Sequence, residues 1–336
     1  MASVMEISRR AVGWGFLGCG PISATVASEV NRFGGGRLVA ACGRDLDRTR
    51  SFAETHGFEQ AYTQTSALLE DPRVDAVYVA LPHSLHVEAI LAALAAGKHV
   101  LCEKPLAMTV QEVELVRSHP RSSALVVAEG FMMRHHPQWT WVMETIANGR
   151  IGAVRGLHAH SCLRLPGPAP EQNLPGQGSV LLDIGCYSVH LARTICGSDP
   201  MRVFARMEYA PGTNRDISIS AHLSFQDSSA QLFAASALQP ARRIHILGTE
   251  GTIELHNPIH SAPDGTASIS ISARDGSSER KVFPWAPQYA LQFQDVCRAI
   301  TEGSKSLVGL DDSLANAKVL DAIRASAATG EIARLR

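Results

Sequence analysis

The feature that most constrains this chain is a short turn, Gly18-Cys19-Gly20-Pro21-Ile22-Ser23, set directly behind an apolar run at residues 12–17 and ahead of a helix-like stretch at 22–30. It reads GxGxxS, with Gly15 just upstream. The first glycine permits a tight turn and the second lets backbone approach a pyrophosphate. A small third residue, here Ser23, lets helix pack on strand. The helix then offers free N–H groups and a positive dipole end to a phosphate. A GxG alone is often an ordinary turn. Strand, turn and helix together predict a dinucleotide site, with Gly18, Gly20, Pro21 and Ile22 against the cofactor.

The chain has 336 residues, enough for two domains. The first part alternates apolar runs at 38–42, 76–81, 99–102 and 125–128 with helical stretches at 47–56, 85–96 and 109–118. Near-continuous apolar strands alternating with helices predict βαβ units and a parallel sheet covered on both faces. After a helix at 137–147 the texture changes. Ile217, Ile219, Ala221, Leu223 and Phe225 alternate with Ser218, Ser220, His222 and Ser224, and Ile269 and Ile271 alternate with Ser268, Ser270 and Ser272. Period-two alternation predicts a sheet with one buried face. Helical stretches at 296–300 and 314–328 close the chain. The expected fold class is α/β plus α+β: a Rossmann domain at 1–127, then a mostly antiparallel open-sheet domain at 128–336, with the terminal helices free to pack back on the first domain.

The end of the second strand selects the dinucleotide. An enzyme for NAD carries Asp or Glu there, where it meets the ribose hydroxyls. This chain has Gly43-Arg44, followed by Asp45 and Arg48. A carboxylate repels a 2′-phosphate and a guanidinium grips it. NADP is therefore expected over NAD, with Arg44 as main anchor and Arg48 as a second; the competing reading is a solvated loop arginine.

Charge and cysteine usage bound the remaining classes. Lys plus Arg number 31 and Asp plus Glu 32, for a net charge of -1, which leaves no electrostatic footprint for nucleic acid or a membrane surface. Seven scattered cysteines, Cys19, Cys42, Cys102, Cys162, Cys186, Cys196 and Cys297, contain no CxxC pair. They are expected as free thiols in a cytoplasmic protein rather than as a disulfide framework. Residues 1–10 lack an apolar core for a signal peptide, and the uncharged run at 89–97 is too short to span a bilayer. No cluster has metal-ligand spacing, so no metal is expected.

Several further segments resemble one family. Glu103-Lys104-Pro105 follows the strand at 99–102; Leu81-Pro82-His83-Ser84-Leu85-His86 follows an earlier strand; Glu129-Gly130-Phe131-Met132-Met133-Arg134-His135-His136-Pro137 and Leu182-Asp183-Ile184-Gly185-Cys186-Tyr187 come later. In order, these resemble the EKP, P-x-x-x-H, E-x-F-M-x-R-x-x-P and L-D-I-G-x-Y segments of the Gfo/Idh/MocA oxidoreductases. The last helix, with Val319, Leu320, Asp321, Ala322 and Ile323, matches as well. The D-I-G-x-Y form resembles the branch that holds glucose-fructose oxidoreductase, NADP-dependent D-xylose 1-dehydrogenase and dimeric dihydrodiol dehydrogenase. Two segments depart from the pattern. Gly176-Gln177-Gly178 stands where a Gly-Gly-Gly run is usual, and residues 166–175, substrate-facing in relatives, match no named branch.

The resemblance implies an NADP-dependent sugar oxidoreductase, in the first place an aldose 1-dehydrogenase. A keto-sugar reductase, nucleotide-linked sugars included, and a trans-dihydrodiol dehydrogenase are alternatives, and a non-catalytic dinucleotide-binding regulator is the reading from a different class. Moving a hydride off a hydroxyl-bearing carbon needs a group to take the hydroxyl proton and one to stabilise charge on the oxygen. A free tyrosine has a pKa of ~10, and a nearby ammonium favours its phenolate. By resemblance, Tyr187 is the acid/base, Lys104 the polariser and Asp183 the residue that orients substrate. Asp183 and Tyr187 are spaced i, i+4, on one face if that stretch is helical.

Taken singly, a lysine before proline is an ordinary surface turn and a tyrosine in an apolar helix is ordinary core. The family also implies a cis bond at Pro105 and cofactor contacts from Leu81, His83, His86, Glu103, Lys104 and Pro105. His86 has a helix-cap reading beside the nicotinamide one. Arg134 is read either as a substrate contact or as half of an ion pair, His136 as a substrate contact, and His190 as packing. Arg164, Arg242 and Arg243 are available for a nucleotide substrate. In relatives the open, serine-rich sheet face makes a two-fold interface, so a homodimer or a dimer of dimers is expected.

Overall fold

The computed structural model describes residues 11–164, 178–260 and 265–335. The stretch 166–175, Gly176 and Gln177, and the N-terminal ten residues lie outside the described residues. The chain forms two compact units. One runs to His135 and takes in Pro287–Leu314; the other comprises His136–Ala286 and Ala315–Arg336.

The first unit holds a six-stranded, all-parallel sheet of β1 (Gly13–Leu17), β2 (Arg37–Cys42), β3 (Gln60–Tyr62), β4 (Ala76–Val79), β5 (His99–Glu103) and β6 (Val127–Gly130), in the order β3-β2-β1-β4-β5-β6. The order reverses between β1 and β4, which opens a crevice at the carboxyl ends of those strands, where doubly wound sheets bind ligands. The connecting helices are α1 (Pro21–Phe33), α2 (Leu46–His56), α3 (Thr65–Glu70), α4 (His86–Ala95) and α5 (Val110–Arg117). β1 and β4 are buried along their whole length, which is why they read as continuous apolar runs. A later helix, Gln288–Glu302, returns to this unit and drives Phe293 into its core. The Phe293 ring centroid lies 4.4 Å from Trp14, 5.8 Å from Phe16 and 5.3 Å from Tyr78. All four side chains are fully buried, and Trp14 Nε1 finds an acceptor in Gly35 O at 2.8 Å.

The division falls after His135 and not between residues 127 and 128. A cut at 127 would pass through β6, which is hydrogen-bonded to β5 from Val127 to Gly130. The helix expected over residues 296–300 begins at Gln288. Its first turns carry Gln288 and Gln292, both buried, and polar residues at core positions hide the apolar period.

The second unit holds α6 (Pro137–Ala147), α7 (Cys186–Cys196), most of α9 (Leu310–Thr329, the helix Gln288–Glu302 being α8) and a nine-stranded sheet. The strands are β7 (Val154–Arg164), β8 (Arg202–Tyr209), β9 (Asp216–Ser224), β10 (Ser229–Ala235), β11 (Ala237–Gly248), β12 (Gly251–His256), β13 (Ala267–Ala273), β14 (Ser278–Phe283) and β15 (Ala333–Arg334). They lie in the order β14-β13-β12-β11-β7-β10-β9-β8-β15. Every pairing is antiparallel except β7 with β10. In β9 the expected alternation is present: Ile219, Ala221 and Leu223 are buried, while Ser220 and His222 are exposed. The buried face packs under α7 and a π-helical turn at Leu181–Gly185. No described helix is long and apolar enough to cross a membrane.

Candidate active site

The glycine turn is built by steric necessity. Gly18 has φ +105°, and a Cβ there would stand 2.3 Å from Ala80 O, so only glycine fits. Its N–H donates to Cys42 O at 2.9 Å, which pins the turn to the end of β2. Gly20 is the N-cap of α1, with no atom within 4 Å of where its Cβ would be. Pro21 opens the helix at a position whose N–H would have no partner in the helix anyway. No acidic residue stands in the first turn. Ser23 is fully buried, the helix-on-strand contact assigned to the third position, and half-buried Ile22 packs against the core. Open space before a helix end without negative charge is the arrangement that receives a phosphate.

Gly43 continues from β2, and its N–H donates to Tyr62 O at 3.1 Å. Arg44 and Arg48 follow, both exposed, and neither guanidinium pairs with a carboxylate among the described residues. The neighbouring acid is engaged elsewhere, for the Asp45 carboxylate accepts from Arg48 N–H at 2.9 Å as the N-cap of α2. Two cations therefore flank the strand end, and the carboxylate between them is held to the helix.

The ends of β4 and β5 carry the next group. The Lys104–Pro105 peptide is cis. Glu103 Oε1 accepts a 2.7 Å hydrogen bond from the Tyr78 hydroxyl of β4. Burial pushes the Glu103 carboxyl up from its usual range, opposed by Tyr78 and the Lys104 charge. Glu129 Oε1 accepts from Leu106 N–H at 2.9 Å, fixing the chain after the proline. His86 is fully buried as the first residue of α4. Its Nδ1 lies 2.9 Å from Pro105 O and its Nε2 2.8 Å from Leu81 O. The ring thus ties the segment after β4 to the segment after β5. A neutral imidazole can donate to only one of these carbonyls. Burial lowers the His86 pKa, and both carbonyls oppose that shift. The His83 ring meets His86 edge-on, centroids 5.6 Å apart.

Arg134 and His135 end the first unit. Burial pulls His135 down to about 4; Arg134 and Arg298 add to that shift and Asp295 opposes it. His136 opens the second unit as the N-cap of α6, its Nδ1 accepting from Gln138 N–H at 3.1 Å. Its ring lies edge-on to Phe283, centroids 6.4 Å apart. His136 therefore has a structural role through Nδ1, while its buried Nε2 has no hydrogen-bond partner among the described residues.

Asp183 and Tyr187 sit on the segment that covers the second sheet. Asp183 lies within the π-helical turn Leu181–Gly185 and Tyr187 in the first turn of α7. The stretch is helical, as the i, i+4 reading required, but with one wide turn. Such turns are frequent at functional sites. Leu181 N–H donates to Asp216 Oδ2 at 2.6 Å and Asp183 N–H to Ser179 O at 2.8 Å, which anchors the turn. Tyr187 is 7% exposed and His190 wholly buried. Half-buried Arg242 of β11 lies within electrostatic reach of Tyr187.

Two contributors are hidden in the sequence. Tyr78 looks like one more residue of an apolar strand, although a hydroxyl on a central buried strand requires a partner. For Asp216 no sequence signal exists that links it to Leu181, 35 residues away. Among the described residues no group of His, Cys, Asp or Glu has the arrangement of a metal site.

Residues 12–131 match the Gfo/Idh/MocA "Oxidoreductase family, NAD-binding Rossmann fold", and residues 139–254 match the "GFO/IDH/MocA C-terminal domain". An uncharacterized oxidoreductase of Rhizobium meliloti is 35% identical over 300 residues, 87% of this chain and 90% of that one. The NADP(+) D-xylose 1-dehydrogenase 2 of Haloferax volcanii is 30% identical over 88% of this chain and 91% of its own. Among solved structures, a 3-ketoreductase from Actinomadura kijaniata, in complex with NADP and TDP-benzene, superposes with a TM-score of 0.84 at 30% identity, covering 94% of this chain and 98% of that chain.

Proposed function

The chain belongs to the Gfo/Idh/MocA family of oxidoreductases, and from that premise we propose that it is an NADP-dependent dehydrogenase acting on a CH–OH carbon of a sugar or polyol, an aldose 1-dehydrogenase in type. The observation that carries the cofactor choice is the pair Arg44 and Arg48, exposed at the end of β2 without carboxylate partners among the described residues, while Asp45 caps α2. That arrangement suits a 2′-phosphate and disfavours bare ribose hydroxyls. A relative named for NADP and a structural neighbour in complex with NADP support the same choice.

Gly18, Gly20 and the start of α1 would hold the pyrophosphate, and Arg44 and Arg48 the 2′-phosphate. The bound nicotinamide supplies or accepts the hydride. The chain's own residues handle charge and protons. Lys104 directs its ammonium to the substrate oxygen and stabilises the negative charge that grows there. The Tyr187 hydroxyl oxygen takes the substrate's hydroxyl proton during oxidation and returns it during reduction. Asp183 accepts a hydrogen bond from a neighbouring hydroxyl and orients the ring. His86 holds the Pro105 carbonyl, next to Lys104, and ties it to the Leu81 carbonyl.

The test is to mix the protein with NADP and a panel of aldoses, trans-dihydrodiols and simple alcohols, and to follow absorbance of the reduced nicotinamide. Turnover of aldoses above the other classes supports the reading. Tight NADP binding with no turnover on any member would favour a dinucleotide-binding regulator. The structural neighbour, a 3-ketoreductase, favours one second reading, reduction of a keto-sugar, and the same assay run with reduced cofactor and keto-sugars tests it.

We also assign the open sheet face to a two-fold homodimer. It exposes Ser220 and His222 together with Phe204, which is 50% exposed, and a broad uncovered sheet face suits a self-complementary two-fold contact. A monomeric mass by light scattering at micromolar concentration would refute it.

A further inference from the structure

Arg242 stands on the wrong face of its sheet for a solvated arginine. In β11 it shares a face with Ile244 and Ile246, which are buried, because side chains alternate along a strand. Its register partner on β7 is Ser161; the row continues through Ala234 of β10 to Ile219 of β9. The π-helical turn lies over the β9 end of this row, for a Cβ on Gly185 would stand 2.6 Å from Ile219 Cδ1. Tyr187 follows two residues later. The neighbouring Arg243 points to the opposite face and pairs with Glu254 at 3.5 Å. Arg242 has neither a carboxylate nor a side-chain hydrogen-bond partner among the described residues. Ser161 is 2% exposed, and its Oγ has no hydrogen-bond partner among them either.

A half-covered guanidinium beside a buried hydroxyl, with no acceptor for either among the described residues, is costly, and the cost falls when an anion joins them. Both groups donate, and a guanidinium offers a planar fork that matches a carboxylate or phosphate. Burial draws the Arg242 pKa down, opposed by Tyr187, which agrees with a guanidinium on the covered face near that tyrosine.

We propose that Arg242 and Ser161 receive an oxyanion of the substrate beside Tyr187, so that the preferred sugar carries a carboxylate or a phosphate. This rests on the oxidoreductase reading above and narrows its substrate class from sugars to anionic sugars.

The test compares D-glucose, D-glucuronate and D-glucose 6-phosphate with NADP, using wild type, Arg242→Gln, Arg242→Lys and Ser161→Ala. Wild type is expected to favour one anionic sugar over the neutral one by about tenfold or more in kcat/KM. Arg242→Gln should lose about tenfold more on that anionic sugar than on glucose, mainly through KM, with Arg242→Lys recovering part of it. The uronate and phosphate arms identify which oxyanion the subsite takes. Preference for glucose, or equal losses on all three sugars, would overturn the proposal. Calorimetric binding of glucuronate and glucose 6-phosphate to the NADP-loaded protein separates the two readings. If nothing is turned over but an anion binds wild type and not Arg242→Gln, the subsite stands and the dehydrogenase reading falls. If nothing is turned over and neither anion binds, both fall.

Discussion

Tyr78 donates a 2.7 Å hydrogen bond to Glu103 Oε1 and so joins the interior of β4 to the last residue of β5, immediately before Lys104. The position of the lysine depends on a buried carboxyl held from the neighbouring strand. Burial raises the Glu103 pKa, so its contribution to stability is present below the usual carboxylate range and lost as pH rises through the folded value. Tyr78→Phe removes a group that eases ionisation there. It should cost about 1–3 kcal/mol, and more at pH 8 than at pH 4, as read by urea unfolding at the two pH values. A cost that was equal at both, or none, would count against this role.

Arg44 has no carboxylate partner among the described residues, so removing it should change cofactor affinity without disturbing the fold. Arg44→Ala is expected to weaken NADP binding by about tenfold and to leave NAD binding within about twofold. Isothermal calorimetry with both dinucleotides checks this. An unaltered NADP affinity would remove the assignment.

If Tyr187 transfers the proton, Tyr187→Phe keeps the ring in its buried position and removes only the hydroxyl. kcat should fall by about 10²–10⁴, while NADP affinity and unfolding midpoint stay near wild type. Full activity in the variant would require another acid/base.

His99 is 8% exposed, accepts from Val126 N–H at 2.9 Å, and is pushed by burial to about 4 from an ordinary 6.5. The folded chain refuses a proton that the unfolded chain takes up. Its contribution is therefore present above pH 6.5 and is lost as pH falls through about 4. Over that window wild type should lose about 3 kcal/mol more stability than His99→Asn, which keeps an acceptor but does not titrate. Parallel urea-midpoint curves for the two proteins would contradict this.

The glycine turn was legible because Gly18, Gly20 and the apolar run before them are all local, and steric rules act over a few residues. The alternation of Ile219, Ala221 and Leu223 was legible for the same reason. The clamp at His86 was not, since Leu81 O and Pro105 O meet it from segments that are distant in the chain. The start of α8 was hidden by buried Gln288 and Gln292, whose polarity breaks the apolar period. Arg242 and Arg243 look alike in sequence; only the register with Ser161 and His160 separates the covered guanidinium from the ion-paired one.

Phe293 fills the core between Trp14, Phe16 and Tyr78 from a helix encoded more than 150 residues after β6. The dinucleotide half is therefore not a detachable cassette. A gene fragment ending at His135 would encode all six strands of the sheet and lack the ring that seals it. Recombination that exchanges substrate halves among such proteins must join the chain at three places, after His135, before Pro287 and after Leu314, and a single crossover would leave an open core.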